Sequence, residues 1–203
     1  MSECSLIYSV RVPPRAPALS PDDRRAALVD VTIPLLRDHG PALTTRQVAE
    51  AAGIAEGTVF RAFGSKDELV QACVAAVFDS TPAVAELRAI DTTLSLDDRL
   101  TEGVAIMQRH VERIVGLISV LHHAGDHGGA GPKKPRGSSD PAVDAALTDL
   151  IGSDSTALRR PVAEVIGLLQ LITLSSVHPL MSTVRLEPAE IVDVVLDGTR
   201  RTS

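Results

Sequence analysis

The sequence predicts an all-α protein in which a compact three-helix N-terminal unit precedes a longer helical region. Three observations predict it. Apolar residues recur at spacings of three and four in segment after segment, the period of one helix face. Helix starts are written repeatedly as a capping residue followed by proline or an acid. Aromatic content is 2% and tryptophan is absent. The core must therefore be built from Leu, Val, Ile and Ala, which suits helix packing. No alternating run marks a strand.

The bulk numbers bound the class. A chain of 203 residues with 44% hydrophobic content is globular and long enough for one or two helical units with a core. The net charge of −6 excludes an indiscriminate nucleic-acid binder. Residues 1–70 carry eight basic against nine acidic groups, and residues 71–203 carry twelve against seventeen. The acidic excess thus lies in the second region, and any anion contact in the first depends on a local cluster. Cys4 and Cys73 form no CxxC pattern, which fits a reducing cytoplasm. No basic start followed by a long apolar run is present, so a secretory signal is not expected. The most apolar stretch, 162–177, holds Glu164 and Gln170 and is too short to span a bilayer.

Along the chain, residues 1–20 read as an arm, with Pro13, Pro14 and Pro17 near its end. Its Arg11 and Arg15 suit a minor-groove contact, although an untidy terminus explains it as well. Ser20-Pro21-Asp22-Asp23 is a helix start: a cap, a proline at the first position and acids at the positive dipole end. That helix runs to about His39 with Ala27, Val31 and Leu35 on one face, and Pro34 predicts a kink. Gly40-Pro41 stops it.

Residues 44–63, TTRQVAEAAGIAEGTVFRAF, form a helix-turn-helix pattern. Thr44 caps the first helix and Gln47 completes a capping box. Val48 and Ala52 share a face, and Ala49 lets a second helix cross closely. Gly53 supplies the left-handed residue that ends the first helix. The second helix runs from about Glu56 to Ala62, with Val59 facing the first and Phe63 anchoring the segment after it. Ser65 then caps a third helix, with Glu68 at the capping-box position and Lys66 in the first turn. Alone, such a hairpin is as often a plain helical pair as a DNA reader.

The order and spacing from Thr44 to Val70 resemble the tetracycline-repressor (TetR) family of bacterial transcriptional regulators. The resemblance is strong over residues 21–80 and architectural beyond. It implies a DNA-binding domain over 21–80, a ligand-binding and dimerisation domain over 81–203, and no enzymatic activity or cofactor. The implied partners are a palindromic double-stranded operator, a small-molecule effector and a second copy of the chain. By resemblance Thr45, Thr58, Phe60 and Lys66 lie at backbone-contacting positions. Arg46 and Arg61 are the candidates for base reading, because a guanidinium can grip guanine O6 and N7 together. Three departures reduce the contact inventory. Phe60 stands where the family usually has tyrosine, Ala55 where a capping serine is common, and Ala62 where a bulky or polar residue often precedes the final Phe63. They leave open a helical dimer of the same fold with weak or no DNA binding.

Thr81-Pro82 closes the third helix. Ser95 with Asp97 and Asp98 starts a long helix through Leu100, Val104, Met107, Val111, Ile114 and Leu117 to Leu121, with a bend expected near Gly116. Residues 124–140, rich in Gly, Pro and Ser, read as a loop. A short helix covers 142–151. Another starts at Ser155, is interrupted by Pro161 and ends before His178-Pro179. Glu187-Pro188 starts the last helix.

Met107, His110, Val111, Ile114 and Leu117 are candidates for lining an effector pocket, although each is also readable as ordinary core. The helix ending near Ser176 is apolar around much of its circumference, which calls for a second buried face. Leu168, Leu169 and Ile172, with Ile191 and Val195 of the last helix, are the expected dimer contacts. His122, His123, Asp126 and His127 have metal-binding chemistry but lead into a glycine-rich loop that fixes no ligand geometry, so no metal site is expected. No Ser/His/Asp set, phosphate loop or carboxylate pair supports an enzyme.

Overall fold

The computed structural model describes residues 20–122, 140–178 and 184–200. The arm over residues 1–19, with Cys4, and the His123–His127 cluster lie outside the described residues. Nine α-helices build the described parts: α1 (Pro21–His39), α2 (Thr45–Ala51), α3 (Glu56–Ala62), α4 (Lys66–Phe78), α5 (Thr81–Arg88), α6 (Leu96–His122), α7 (Pro141–Ile151), α8 (Val162–Val177) and α9 (Pro188–Thr199). No strand occurs among them, and the one β-bridge pairs Leu158 with Arg200.

The predicted caps form. The Ser20 hydroxyl accepts from the Asp23 amide, Thr44 and Gln47 make the reciprocal capping box, and Ser65 accepts from the Glu68 amide. Each cap satisfies an amide that the first turn would otherwise leave without a partner. α1 runs through Pro34 to its expected end at His39.

Two cores result. In the first, Leu28, Leu36, Val48, Val59, Phe63, Leu69 and Val77 bury the inner faces of α1–α4. In the second, Leu87, Leu100, Val104, Leu147, Leu169 and Ile191 join α5–α9. α6 belongs to both. Its early turns carry Leu100 and Val104 into the second core, and its later Leu117 is fully buried in the first.

Three details differ from the sequence expectation. α6 does not break at Gly116. A single glycine costs a helix about 1 kcal/mol relative to alanine, and packing at both ends of a 27-residue helix outweighs that. A Cβ at that position would meet Arg37 Nε at 3.9 Å, an ordinary contact, and Arg37 Nη2 donates to the Arg113 carbonyl at 3.4 Å. Second, Ser155 does not start α8. Residues Gly152–Ala157 form a 3₁₀ turn and Pro161 is the N-cap of α8, because proline is tolerated at a helix entrance but not in its interior. Third, Thr81-Pro82 opens the short α5 rather than only closing α4.

Candidate functional site

The turn between α2 and α3 follows from its residues. Gly53 sits at φ 65°, and a Cβ there would meet nothing within 4 Å. The requirement is therefore conformational rather than steric. The Ile54 amide donates to the Ala49 carbonyl at 3.0 Å, closing the end of α2. α3 has Ala55 as its N-cap, with no side-chain cap bond, as the sequence indicates.

α3 is anchored by Val59 and Phe63, both 1% exposed, while Phe60 is 48% exposed. The buried and exposed faces of this seven-residue helix are thus cleanly separated. Arg61 is exposed on the last turn of α3 and forms no ion pair or hydrogen bond among the described residues. Arg46, in the first turn of α2, is exposed and pairs with Glu50 at 3.0 Å. Such an exposed i,i+4 pair contributes only about 0.3–0.5 kcal/mol, so a phosphate or base can replace it. Thr58 is half-buried. The Thr45 hydroxyl donates to Glu56 Oε1 at 2.6 Å and so ties the starts of α2 and α3 together. Lys66 Nζ donates to the Pro41 carbonyl at 2.5 Å, which leaves two of its three N–H groups for an outside partner.

A residue that the sequence reading missed holds this surface in place. Arg25 of α1 donates to the Ala62 carbonyl at the end of α3 and to Glu68 Oε1 at 3.0 Å. Its guanidinium lies 4.2 Å over the Phe63 ring, within cation–π range. Glu68 Oε2 also accepts from the Gly64 amide at 3.0 Å. The Arg25 hydrogen bond, then that of Gly64, holds the Glu68 carboxyl below its ordinary value. Nothing local in the sequence marks Arg25, because its partners are 37 and 43 residues away.

The second region holds a cavity of about 540 Å³. Met107, His110, Val111 and Ile114 of α6 line it. Leu117 does not, because its place further along α6 carries it into the core of α1–α4. The far wall is formed by α8, and Ser80 and Asp140 stand at the cavity wall beside the end of α4. The Ser80 hydroxyl donates to Asp140 Oδ2 at 2.5 Å, and Asp140 Oδ1 accepts from the Ala142 amide as the cap of α7. Next to Ser80, the Thr81 hydroxyl and amide hold the Asp79 carboxyl below its ordinary value.

The expected dimer residues divide. Leu169 and Ile191 are fully buried and Val195 is 3% exposed within one protomer, so they have no surface to offer a partner. Ile172 is half-buried against the core. Leu168 is exposed, as are Leu171, Leu174 and Val194. Successive helical residues are about 100° apart, so Leu168 and Leu169 cannot share a function. Among the described residues no cluster of His, Cys, Asp and Glu could hold a metal, and no helix is long and apolar enough to cross a membrane.

An all-α chain with a capped helix-turn-helix, a partly exposed second helix and a separate cavity-bearing helical unit defines the class of helix-turn-helix regulators. The family described as bacterial regulatory proteins, tetR family, matches residues 28–73. Over that matched N-terminal unit, the chain is similar to the TetR family. Solved structures share the whole fold. A TetR transcriptional regulator from Streptomyces coelicolor is 23% identical, with 88% of this chain and 99% of that one covered and a TM-score of 0.51. A TetR-family regulator from Haemophilus influenzae is 15% identical, with 89% and 98% covered and a TM-score of 0.56. One from Mesorhizobium loti is 12% identical, with 91% and 100% covered and a TM-score of 0.59.

Proposed function

We propose that this protein is a cytoplasmic, homodimeric transcriptional repressor that binds a palindromic operator and is released from it by a small-molecule effector. The observation that carries the reading is the outer face of α3. It presents Arg61 and Phe60, both exposed, while Val59 and Phe63 anchor the opposite face in the core. Thr45, Thr58 and Lys66 serve as positioning contacts, and Arg46 and Arg61 read base edges. One head offers few contacts, so a two-fold pair is needed for tight specific binding. Leu168 of α8, with Val194 of α9, supplies apolar surface for pairing. The effector occupies the cavity between α6 and α8 and favours a conformation in which α4 holds the two heads at an unsuitable spacing.

The test is selection of operator sequences from a randomised duplex pool, followed by gel shift at several salt concentrations. Lys66→Gln should weaken every sequence by a similar factor. Arg61→Ala should cost about 1–3 kcal/mol at one base pair per half-site and relax preference there. If no sequence is enriched over random DNA, the chain is instead a helical dimer of this fold without operator recognition.

A further inference from the structure

The cavity has a chemical bias that likeness to the TetR family does not dictate. Its walls are aliphatic, from Leu87, Met107, Val111 and Ile114 among others, with no phenylalanine, tyrosine or tryptophan among the described lining residues. Among the described residues that line it, Asp140 carries a carboxylate and none is a lysine or arginine. Asp144 lies close behind, accepting from the lining Gln170 at 2.8 Å. On the α8 wall, Thr173 is 1% exposed, and its hydroxyl is buried without a hydrogen-bond partner. A buried hydroxyl left unpaired marks a place where a further polar group belongs.

We propose, resting on the effector reading above, that the cavity takes an aliphatic organic cation, its ammonium on the Asp140 carboxylate and its chain along α6 and α8. An anionic amphiphile would meet a like charge at Asp140, and among the described lining residues no lysine or arginine stands to neutralise it; burying an unpaired charge is strongly disfavoured. An ammonium gains a charge-assisted bond to Asp140. The same Asp140 carboxylate now holds Ser80, two residues past the end of α4. The ligand head therefore acts where α4 is tied to α7.

Decylamine, decanol and decanoate, below their micellar concentrations, test this by titration calorimetry on the full chain. Decylamine should bind at one site per protomer, at least tenfold tighter than decanoate. Asp140→Asn keeps a helix-capping side chain and should fold normally, yet lose about tenfold in decylamine affinity without a matching loss for decanol. Val111→Phe should weaken all three probes by filling the cavity. Equal binding of decanoate and decylamine, or an Asp140→Asn variant with unchanged amine affinity, overturns the proposal. Operator release is read in parallel. Amine bound without release keeps the ligand assignment and removes the effector role. Release by another compound, with no amine binding, does the reverse.

Discussion

Arg25 shows how a single side chain sets the reading surface. It reaches from α1 to the end of α3 and to Glu68 at the start of α4, so three helices share one guanidinium. Glu68 titrates below its ordinary value of 4.5 because Arg25 and the Gly64 amide bond its charged form. A carboxyl with a depressed folded-state pKa adds stability that is present above the unfolded value and lost as pH falls through the folded one. The midpoint difference between the wild type and Glu68→Gln should therefore be present at neutral pH and close as pH drops below about 4. Urea titrations at a series of pH values check it. Cys73 is the opposite case. It is fully buried, and burial, with a smaller contribution from Asp30, pushes its thiol up to about 12. Only the thiolate reacts readily. Cys73 should therefore resist alkylation at neutral pH in the folded protein and react once urea unfolds it; a Cys4→Ser background isolates the signal by mass spectrometry. Burial of Cys73 beside Val74 and Val77 is legible in the apolar run of α4, whereas the Arg25 ties are not, since they depend on packing between distant segments.

The helices are where local chemistry speaks most plainly. Capping boxes, proline at the first turn and glycine at φ 65° after α2 are short-range devices, so their positions can be read along the chain. α3 is the exception that matters. Its N-cap is Ala55, which offers no side-chain acceptor, and restoring one should help. Ala55→Ser is expected to stabilise the N-terminal unit by about 0.5–1 kcal/mol, seen as a higher denaturation midpoint, with operator affinity unchanged or improved. The start of α8 and the course of α6 are less legible. Gly116 predicts a break or a bend, and α6 continues through it unbroken, because the helix is held by the second core in its early turns and by the first in its later ones.

The molecule as a whole joins a reading head to a cavity through shared helices. α6 lines the cavity with Met107 and Ile114 and buries Leu117 among α1–α4. α6 is therefore a single rod shared by the cavity wall and the N-terminal core. Pairing of two protomers is predicted to use the outer side of α8. Leu168→Glu should shift the protein toward monomer at low concentration and weaken operator binding steeply, with little change in protomer folding, as sedimentation and circular dichroism would show. Leu169→Ala should behave differently, destabilising the protomer by about 2–5 kcal/mol, because that side chain is fully buried within it. A result in which both variants act alike would place Leu168 in the protomer core.

Neighbours within a few residues are enough to specify the helical class, the helix-turn-helix, its caps and the positions of Arg46, Arg61 and Lys66 along it. They also place Met107, His110, Val111 and Ile114 on one side of a helix, because helical period alone sorts residues by face. Three features wait for the assembled chain: which of two apolar faces of α8 turns inward, that Leu117 serves the head rather than the cavity, and that Arg25 holds α3. Periodicity says that a face is buried. It cannot say against what, because that depends on how far a helix extends past its neighbours and which segments, distant in the chain, meet it there.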